Sequence, residues 1–301
     1  MCILSIITPH YNMASSIERT IASVPLAHDQ CIEHIIIDDC SEQAEYEKLK
    51  EVIASSNNKN IKLFRNEENV GPIETINFGA KEATGKYLLF LSSDDWVEKN
   101  FITNILTRNL TQNDSGIIVG DICVSYNVGS MKRLKSFRKG VELKISPPAE
   151  NILDGFMTAL HGQAIIRRDL FLRYGLYNKN LKWNSDLFLH VKIATVAGVY
   201  YIPEISGYFS KNYLSYGNKK NYLQQSATLD TLFDLLDNSD NTLVRQIYRR
   251  SGTLGKEPYS LKYLVQNKHF DFVNLKFIAK FIIFKARRLV LTSTLKRRIQ
   301  T

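Results

Sequence analysis

The stretch Tyr87-Leu88-Leu89-Phe90-Leu91 carries no charge and reads as a strand buried on both faces. A strand of that kind belongs in the middle of a parallel sheet, whose crossover connections lay helices over both faces. It leads into Asp94-Asp95, followed by Trp96. Ligands of open α/β sheets collect at the carboxyl ends of the strands. Two adjacent carboxylates there offer hard oxygen ligands to Mg2+ or Mn2+. The same acids also suit the start of a helix near Glu98 as caps, and taken alone the two residues leave both readings open.

The rest of the first half has the rhythm such a sheet needs. Runs rich in β-branched and apolar residues at Ile3–Ile7, His34–Ile37, Ile61–Phe64, Tyr87–Leu91 and Gly116–Val119 predict strands. Amphipathic segments at Ser16–Val24, Gln43–Ser55, Pro72–Thr84 and Glu98–Leu110 predict helices between them. Pro72 sits in a first helical turn, where its missing N–H costs nothing, and Gly85 suits a left-handed cap at the end. Gly79 inside that helix costs about 1 kcal/mol relative to alanine, which predicts a close approach of backbone or ligand. The alternation implies right-handed β-α-β crossovers and an α/β fold with a mostly parallel sheet flanked by helices.

Beyond Val119 the pattern changes. An irregular or extended basic excursion over 121–145 is broken at Pro147-Pro148 before a new helix. An extended stretch Gln163–Arg167 follows, then helices at Asp169–Tyr174 and Asp186–Ala197 and strands at Val199–Ile202 and Ile205–Ser210. From about Asn218 the patterning is helical to the end. The expected division is 1–215 for the α/β body, with halves 1–120 and 121–215, and 216–301 for a helical appendage.

At 301 residues and 44% hydrophobic content the chain has material for one large core. Cys2, Cys31, Cys40 and Cys123 stand at irregular spacings with no C-x-x-C pair, so neither a zinc knuckle nor a disulfide framework is expected. The sequence enters its first strand at once without a basic leader, and no segment reaches the roughly 18 apolar residues of a membrane span. These features predict a cytoplasmic protein. Of the net charge of +9, eight cations fall within Lys276–Thr301, a segment with no acid. Phe277, Ile278, Phe281, Ile282, Phe284, Leu289, Leu291 and Leu295 share one broad helical face there, interrupted by Lys285 and Arg288. A basic amphipathic helix of this kind is expected to lie on the inner membrane surface, drawn to anionic lipid. Packing on the body with a solvated basic side is the alternative. No nucleic-acid recognition fold is present, so no nucleic-acid partner is expected.

Each predicted strand end carries a motif. Thr8-Pro9-His10-Tyr11-Asn12 reads as a proline-containing turn that sets backbone groups against a base or ribose, or as an ordinary loop. In Asp38-Asp39-Cys40-Ser41 a carboxylate suits a nucleobase N–H, although helix capping explains the same residues. Ser5–Asn12, Ile35–Ser41, Asn69-Val70-Gly71 with Asn77 and Gly79, Ala83-x-Gly85-Lys86-Tyr87 and Leu91–Asp95 stand in an order and spacing that resembles family 2 glycosyltransferases of the GT-A fold. The likeness, over about residues 3–215, is to the type that builds bacterial surface polysaccharides.

The resemblance implies a nucleotide site of Thr8, Pro9, Tyr11 and Asn12 with Asp38, Asp39, Asn69, Gly71 and Asn77, and it gives Asp94 the ribose. It implies that Asp95, with Asp94, holds Mn2+ or Mg2+. Two departures stand out: Ser92 replaces an acid that many members carry, and Thr75-Ile76-Asn77 replaces Ala-Arg-Asn. Lys182-Trp183-Asn184-Ser185-Asp186 is similar to the family's Glu-Asp motif with Ser185 in place of the glutamate. By residue type alone Asp186 is an acid complementing a helix dipole; by resemblance it is the catalytic base. His161, Gly162 and Trp183 are the implied acceptor contacts. The implied partners are a nucleotide-sugar donor, UDP-linked, and a glycan or lipid-linked acceptor. Two other readings share these residues: a catalytically silent GT-A domain serving as a scaffold, and a nucleotidyltransferase. The second should carry a glycine-rich loop after the first strand, and Thr8–Asn12 contains no glycine.

Overall fold

The computed structural model describes residues 2–25, 32–107, 114–126, 130–134, 141–147, 160, 163–210, 222–251, 254 and 258–272. The chain divides into two compact units, Met1–Lys219 and Lys220–Thr301. In the first, β1 (Leu4–His10), α1 (Ala14–Ser23), β2 (Ile32–Asp38), α2 (Gln43–Ser55), β3 (Ile61–Arg65), α3 (Pro72–Glu82) and β4 (Tyr87–Phe90) alternate as the sequence predicts. Then follow β5 (Trp96–Val97), α4 (Lys99–Thr107), β6 (Ile117–Tyr126), β7 (Ser130–Leu134), β8 (Leu143–Ile145) and β9 (Ile165–Arg167). The unit closes with α5 (Arg168–Arg173), α6 (Ser185–Ala197) and β10 (Val199–Ser210).

The strands form one sheet in the order β3-β2-β1-β4-β9-β6-β10-β5, with β7 added to β6 and β8 to β10. Pairing is parallel from β3 through β4. Beyond it, β9 runs antiparallel to both β4 and β6. β4, with all four residues buried, is the central strand its uncharged run predicts. Ile6 and Ile36 face the layer of α1, α2 and α4, where Ile17, Ile21, Leu49, Phe101 and Ile105 complete two apolar clusters. Ile7 and Ile37 face α3, and Gly79 lets that helix come close: a Cβ there would stand 2.6 Å from Ile7 Cγ2 and 2.8 Å from Ile37 Cδ1.

Several boundaries differ from the sequence expectation for identifiable reasons. β1 continues to His10, so Thr8 and Pro9 are strand residues and not a turn. Pairing with β4 ends at Ile7, so Pro9 withholds no ladder N–H on that side, where its carbonyl accepts from Ser93 Oγ at 2.8 Å. Gly85 does not serve as a left-handed cap; a Cβ there would meet Ser5 Oγ at 2.5 Å and Ser5 N at 2.7 Å. The strands expected at Val199–Ile202 and Ile205–Ser210 are one strand, β10, with register shifts around Pro203 that mark a bulge. Parts of the 121–145 excursion are regular strand structure: β7 forms an antiparallel hairpin with β6, and β8 pairs antiparallel with β10.

In the second unit the described helices are α7 (Tyr222–Asp237), α8 (Thr242–Ser251) and α9 (Pro258–Gln266). Phe233 stacks on His269 with ring centroids 3.9 Å apart and meets Phe272 edge-on at 5.0 Å, the centre of a small aromatic core. The basic segment 276–301 lies outside the described residues. Among the described residues no helix is long and apolar enough to cross a membrane.

Candidate active site

The backbone after β4 turns sharply and is fastened from α1. Thr20 Oγ1 lies 2.9 Å from the Ser93 carbonyl and 2.7 Å from that of Asp95, and Arg19 Nη2 donates to the Asp94 carbonyl at 3.0 Å. The Arg19 guanidinium lies 3.6 Å from the centre of the Trp96 ring, which stacks in turn on Tyr208 at 5.0 Å. Asp95 is 7% exposed, and its Oδ1 accepts the Ser210 N–H at 2.8 Å. The pair therefore does not cap α4, whose first turn closes on the Glu98 carbonyl instead.

Burial, and then the neighbouring charge of Asp94, push the Asp95 carboxyl well above its ordinary value, and the Ser210 N–H and Arg19 only partly offset this. Asp94 is raised as well, chiefly by burial. Two adjacent carboxylates that resist ionisation in the absence of a counter-charge suit a hard divalent cation. No group of three or more His, Cys, Asp or Glu side chains that would hold a metal occurs among the described residues, so phosphate oxygens and water would have to complete the shell. Ser92 is exposed and adds no charge.

The motifs after β1 and β2 are locked to each other. Asn12, at φ 49°, donates its N–H to Ser41 Oγ at 2.9 Å and accepts the Glu42 N–H on Oδ1 at 2.9 Å. Asp39 accepts from Asn66 Nδ2 at 2.8 Å, Val70 N at 3.0 Å and Gly71 N at 2.9 Å. It thereby shapes the Asn69-Val70-Gly71 turn, where Gly71 takes φ 86° before α3. Three of the roughly four lone-pair directions of the carboxylate are occupied. Tyr11 and Asn69 are exposed beside this turn.

Three expected nucleotide contacts are spent on the protein itself. The Thr8 hydroxyl is fully buried 2.9 Å from His34 Nε2, because Thr8 lies in a strand and faces α1 and α2. Asp38 is also fully buried on that face; it accepts the Ser41 N–H at 3.1 Å and pairs with Arg65 Nε at 3.3 Å. Both ends of the Asn77 amide close on the backbone of Tyr177, Nδ2 to the carbonyl at 2.8 Å and Oδ1 to the N–H at 2.9 Å. In the structure all three side chains support the fold, while Asp38 Oδ1 is buried without a hydrogen-bond partner.

Asp186 is half-buried in the first turn of α6. The turn before it is strained: Lys182 holds φ 46° and ψ −121°, a region that favours glycine. Trp183, next in that turn, is half-buried. His161 and Gly162 lie outside the described residues. The position that motif reasoning missed is Arg19, whose partner Asp94 lies 75 residues away in sequence and which nothing local signals. Tyr208 and Ser210 fall in the segment 208–215, which by sequence reads as a loop over the donor or a solvated surface loop; in the structure both are strand residues that close on Trp96 and Asp95.

A family model described as Glycosyl transferase family 2 matches residues 5–175. An uncharacterized glycosyltransferase of Haemophilus influenzae is 37% identical over 92 residues, covering 31% of this chain and 29% of the relative. Another, of Rickettsia typhi, is 29% identical over 207 residues, covering 67% of this chain and 62% of the relative. The chain thus spans less than two thirds of the length of either. Among solved structures, TarS 1-349 of S. aureus in complex with UDP superposes with a TM-score of 0.65 at 18% identity, covering 93% of this chain and 78% of that one. TarS 1-349 with UDP-GlcNAc does so with a TM-score of 0.65 at 17% identity, covering 92% and 83%. The mannosyltransferase PcManGT of Pyrobaculum calidifontis, in complex with GDP-Man and Mn2+, gives 0.57 at 15% identity, covering 95% and 80%. At these identities the solved structures bear on the fold alone, which is that of GT-A glycosyltransferases. With the family model spanning more than half of its residues, the chain belongs to family 2 of the glycosyltransferases.

Proposed function

We propose that the chain transfers a sugar, with inversion, from a nucleotide-diphosphate donor, UDP-linked, to a hydroxyl of a glycan or lipid-linked acceptor in bacterial surface-polysaccharide assembly. The observation that carries the reading is the Asp94-Asp95 pair: two adjacent acids at the end of the central strand, one nearly fully buried. Asp95, with Asp94 beside it, would hold Mn2+ or Mg2+. Such an ion supplies positive charge to the diphosphate as it leaves. The UDP, UDP-GlcNAc and GDP-Man complexes of the fold neighbours support a nucleotide-sugar donor.

Asp186 accepts the proton of the acceptor hydroxyl while that oxygen bonds to the anomeric carbon and the bond to the diphosphate breaks. Asp39 shapes the turn beside the base, and Arg19 and Thr20 hold the Asp94-Asp95 backbone in place. The basic segment 276–301 would bring the enzyme to anionic membrane carrying a lipid-linked acceptor. Titration calorimetry of UDP with and without Mn2+ tests the donor site: metal-dependent binding to the natural chain, lost in Asp95→Ala, is expected. Binding indifferent to both favours a silent scaffold. For Asp186 the expected outcome is that Asp186→Asn removes turnover while UDP binding survives; loss of both makes the residue structural.

A further inference from the structure

A buried polar network includes His190, one helical turn on from Asp186. The Tyr177 phenol lies 2.6 Å from His190 Nε2, and His190 Nδ1 lies 2.5 Å from the Leu160 carbonyl. A carbonyl only accepts, so Nδ1 carries the hydrogen; in the neutral ring Nε2 is then an acceptor, and Tyr177 donates to it. His190 is fully buried and Tyr177 is 6% exposed. Asp186 and His190 stand four residues apart on α6, hence on one helical face.

The far side of Tyr177 is equally constrained. Its ring packs against Phe90 at 5.1 Å and Phe171 at 5.0 Å, and its backbone N–H and carbonyl are both clamped by the Asn77 amide. Asn77 belongs to α3, whose leading turn is shaped by Asp39. Ser185 Oγ donates to the Asn178 carbonyl, which ties the residue after Tyr177 to the start of α6. A Phe and a Leu would fill the same space without burying a hydroxyl and an imidazole, so packing alone does not account for this pair.

We infer that Tyr177 and His190 are positioning residues for Asp186: clamped by Asn77, they fix the first turn of α6 and so the place of the carboxylate that takes the acceptor's proton. The inference rests on the reading of Asp186 as the base. The charge of Asp186 is close enough to add to burial in raising the Tyr177 phenol, which agrees with the arrangement. Because the Tyr177 hydroxyl donates its hydrogen bond to His190 Nε2, the phenol is held as a spacer and does not serve as a donor to Asp186.

The test uses the full chain and a panel of UDP-glucose, UDP-galactose, UDP-GlcNAc and GDP-mannose, reading nucleoside diphosphate released to water from whichever donor the natural chain turns over fastest. Tyr177→Phe and His190→Leu are expected to lower kcat by about 10- to 100-fold while KM for the donor stays within about 2-fold, as for a misplaced catalytic group. His190→Gln, whose amide both accepts and donates, should retain kcat within about 3-fold. In an Asp186→Asn background Tyr177→Phe should have no further effect, since a positioning residue has nothing left to position. Folded Tyr177→Phe with natural kcat, or equal losses in His190→Gln and His190→Leu, would overturn the inference while the base role of Asp186 stands. Natural kcat in Asp186→Asn, or no donor turned over by the natural chain, would remove the reading beneath it. If His190→Leu fails to fold, Tyr177→Phe, which keeps the ring, decides alone.

Discussion

Replacing Asp95 by asparagine should make the metal-free protein more stable. The carboxylate is 7% exposed, sits beside Asp94 and has the Ser210 N–H as its hydrogen-bond donor. Asparagine keeps an acceptor for that N–H and removes a charge whose burial is only partly compensated. The gain is on the order of 1–2 kcal/mol, which for a unit of this size raises Tm by about 2–8 °C. The folded chain holds the Asp95 proton more tightly than the unfolded chain, for which the value is 3.8. The burial therefore costs stability once the unfolded chain ionises, and the advantage of the variant is absent below pH 3.8, opens as pH rises above 3.8 and is complete once pH passes the folded value. Differential scanning fluorimetry across pH, without metal and then with Mn2+ and UDP, measures both sides. At a ligand concentration 100 times its Kd the natural protein gains about 2.7 kcal/mol and the variant gains little. A variant less stable at every pH, or one that answers Mn2+ as the natural protein does, refutes the electrostatic account of this site.

Other outcomes follow from the same structure. Against the cost of burial, hydrogen bonds from Lys62, Ser5 and Thr84 hold Glu33 down to about 2 from 4.5. Glu33→Gln should lose about 2 kcal/mol at neutral pH once the half-exposed Lys62 is discounted, with the deficit closing as pH falls from 4.5 towards 2 in urea titrations. Gly79→Ala places a Cβ 2.6 Å from Ile7 Cγ2, and overpacking of about 1–3 kcal/mol should outweigh the helix-propensity gain of about 1 kcal/mol, read as a lower denaturation midpoint. Asp39→Ala strips the acceptor from Val70 and Gly71; stability should fall by about 2–3 kcal/mol and UDP affinity with it, whereas an unchanged midpoint would mean that the turn holds itself.

The alternation of strands and helices as far as β4 was legible because each element is encoded within its own few residues: an uncharged run, a proline at a helix start, a glycine under a close-packed helix. The placement of acids at strand ends was legible for the same reason, since strand direction and sheet type dictate where those ends collect. What each polar side chain does there was not. The Asn77 amide is held at both ends by the backbone of Tyr177, 100 positions later, a pairing that no local pattern announces. Asp38 and Asp39 are neighbours in sequence, yet alternation along a strand sends the first into the layer of α1 and α2 and leaves the second to gather the turn before α3. The antiparallel insertion of β9 between β4 and β6 was equally hidden, because three residues of strand carry no directional signal.

The hydrogen bond from Ser210 to Asp95 bears on how the protein can be cut and joined. The last strand of the sheet ends at Ser210, and the backbone of that residue holds one oxygen of the carboxylate at the heart of the site. A catalytic fragment trimmed before Ser210 would keep the sheet but release Asp95, and its failure to bind metal would say nothing about the missing C-terminal unit. A pull or a rigid graft placed at Ser210 is therefore expected to disturb the Asp95 carboxylate before the rest of the sheet.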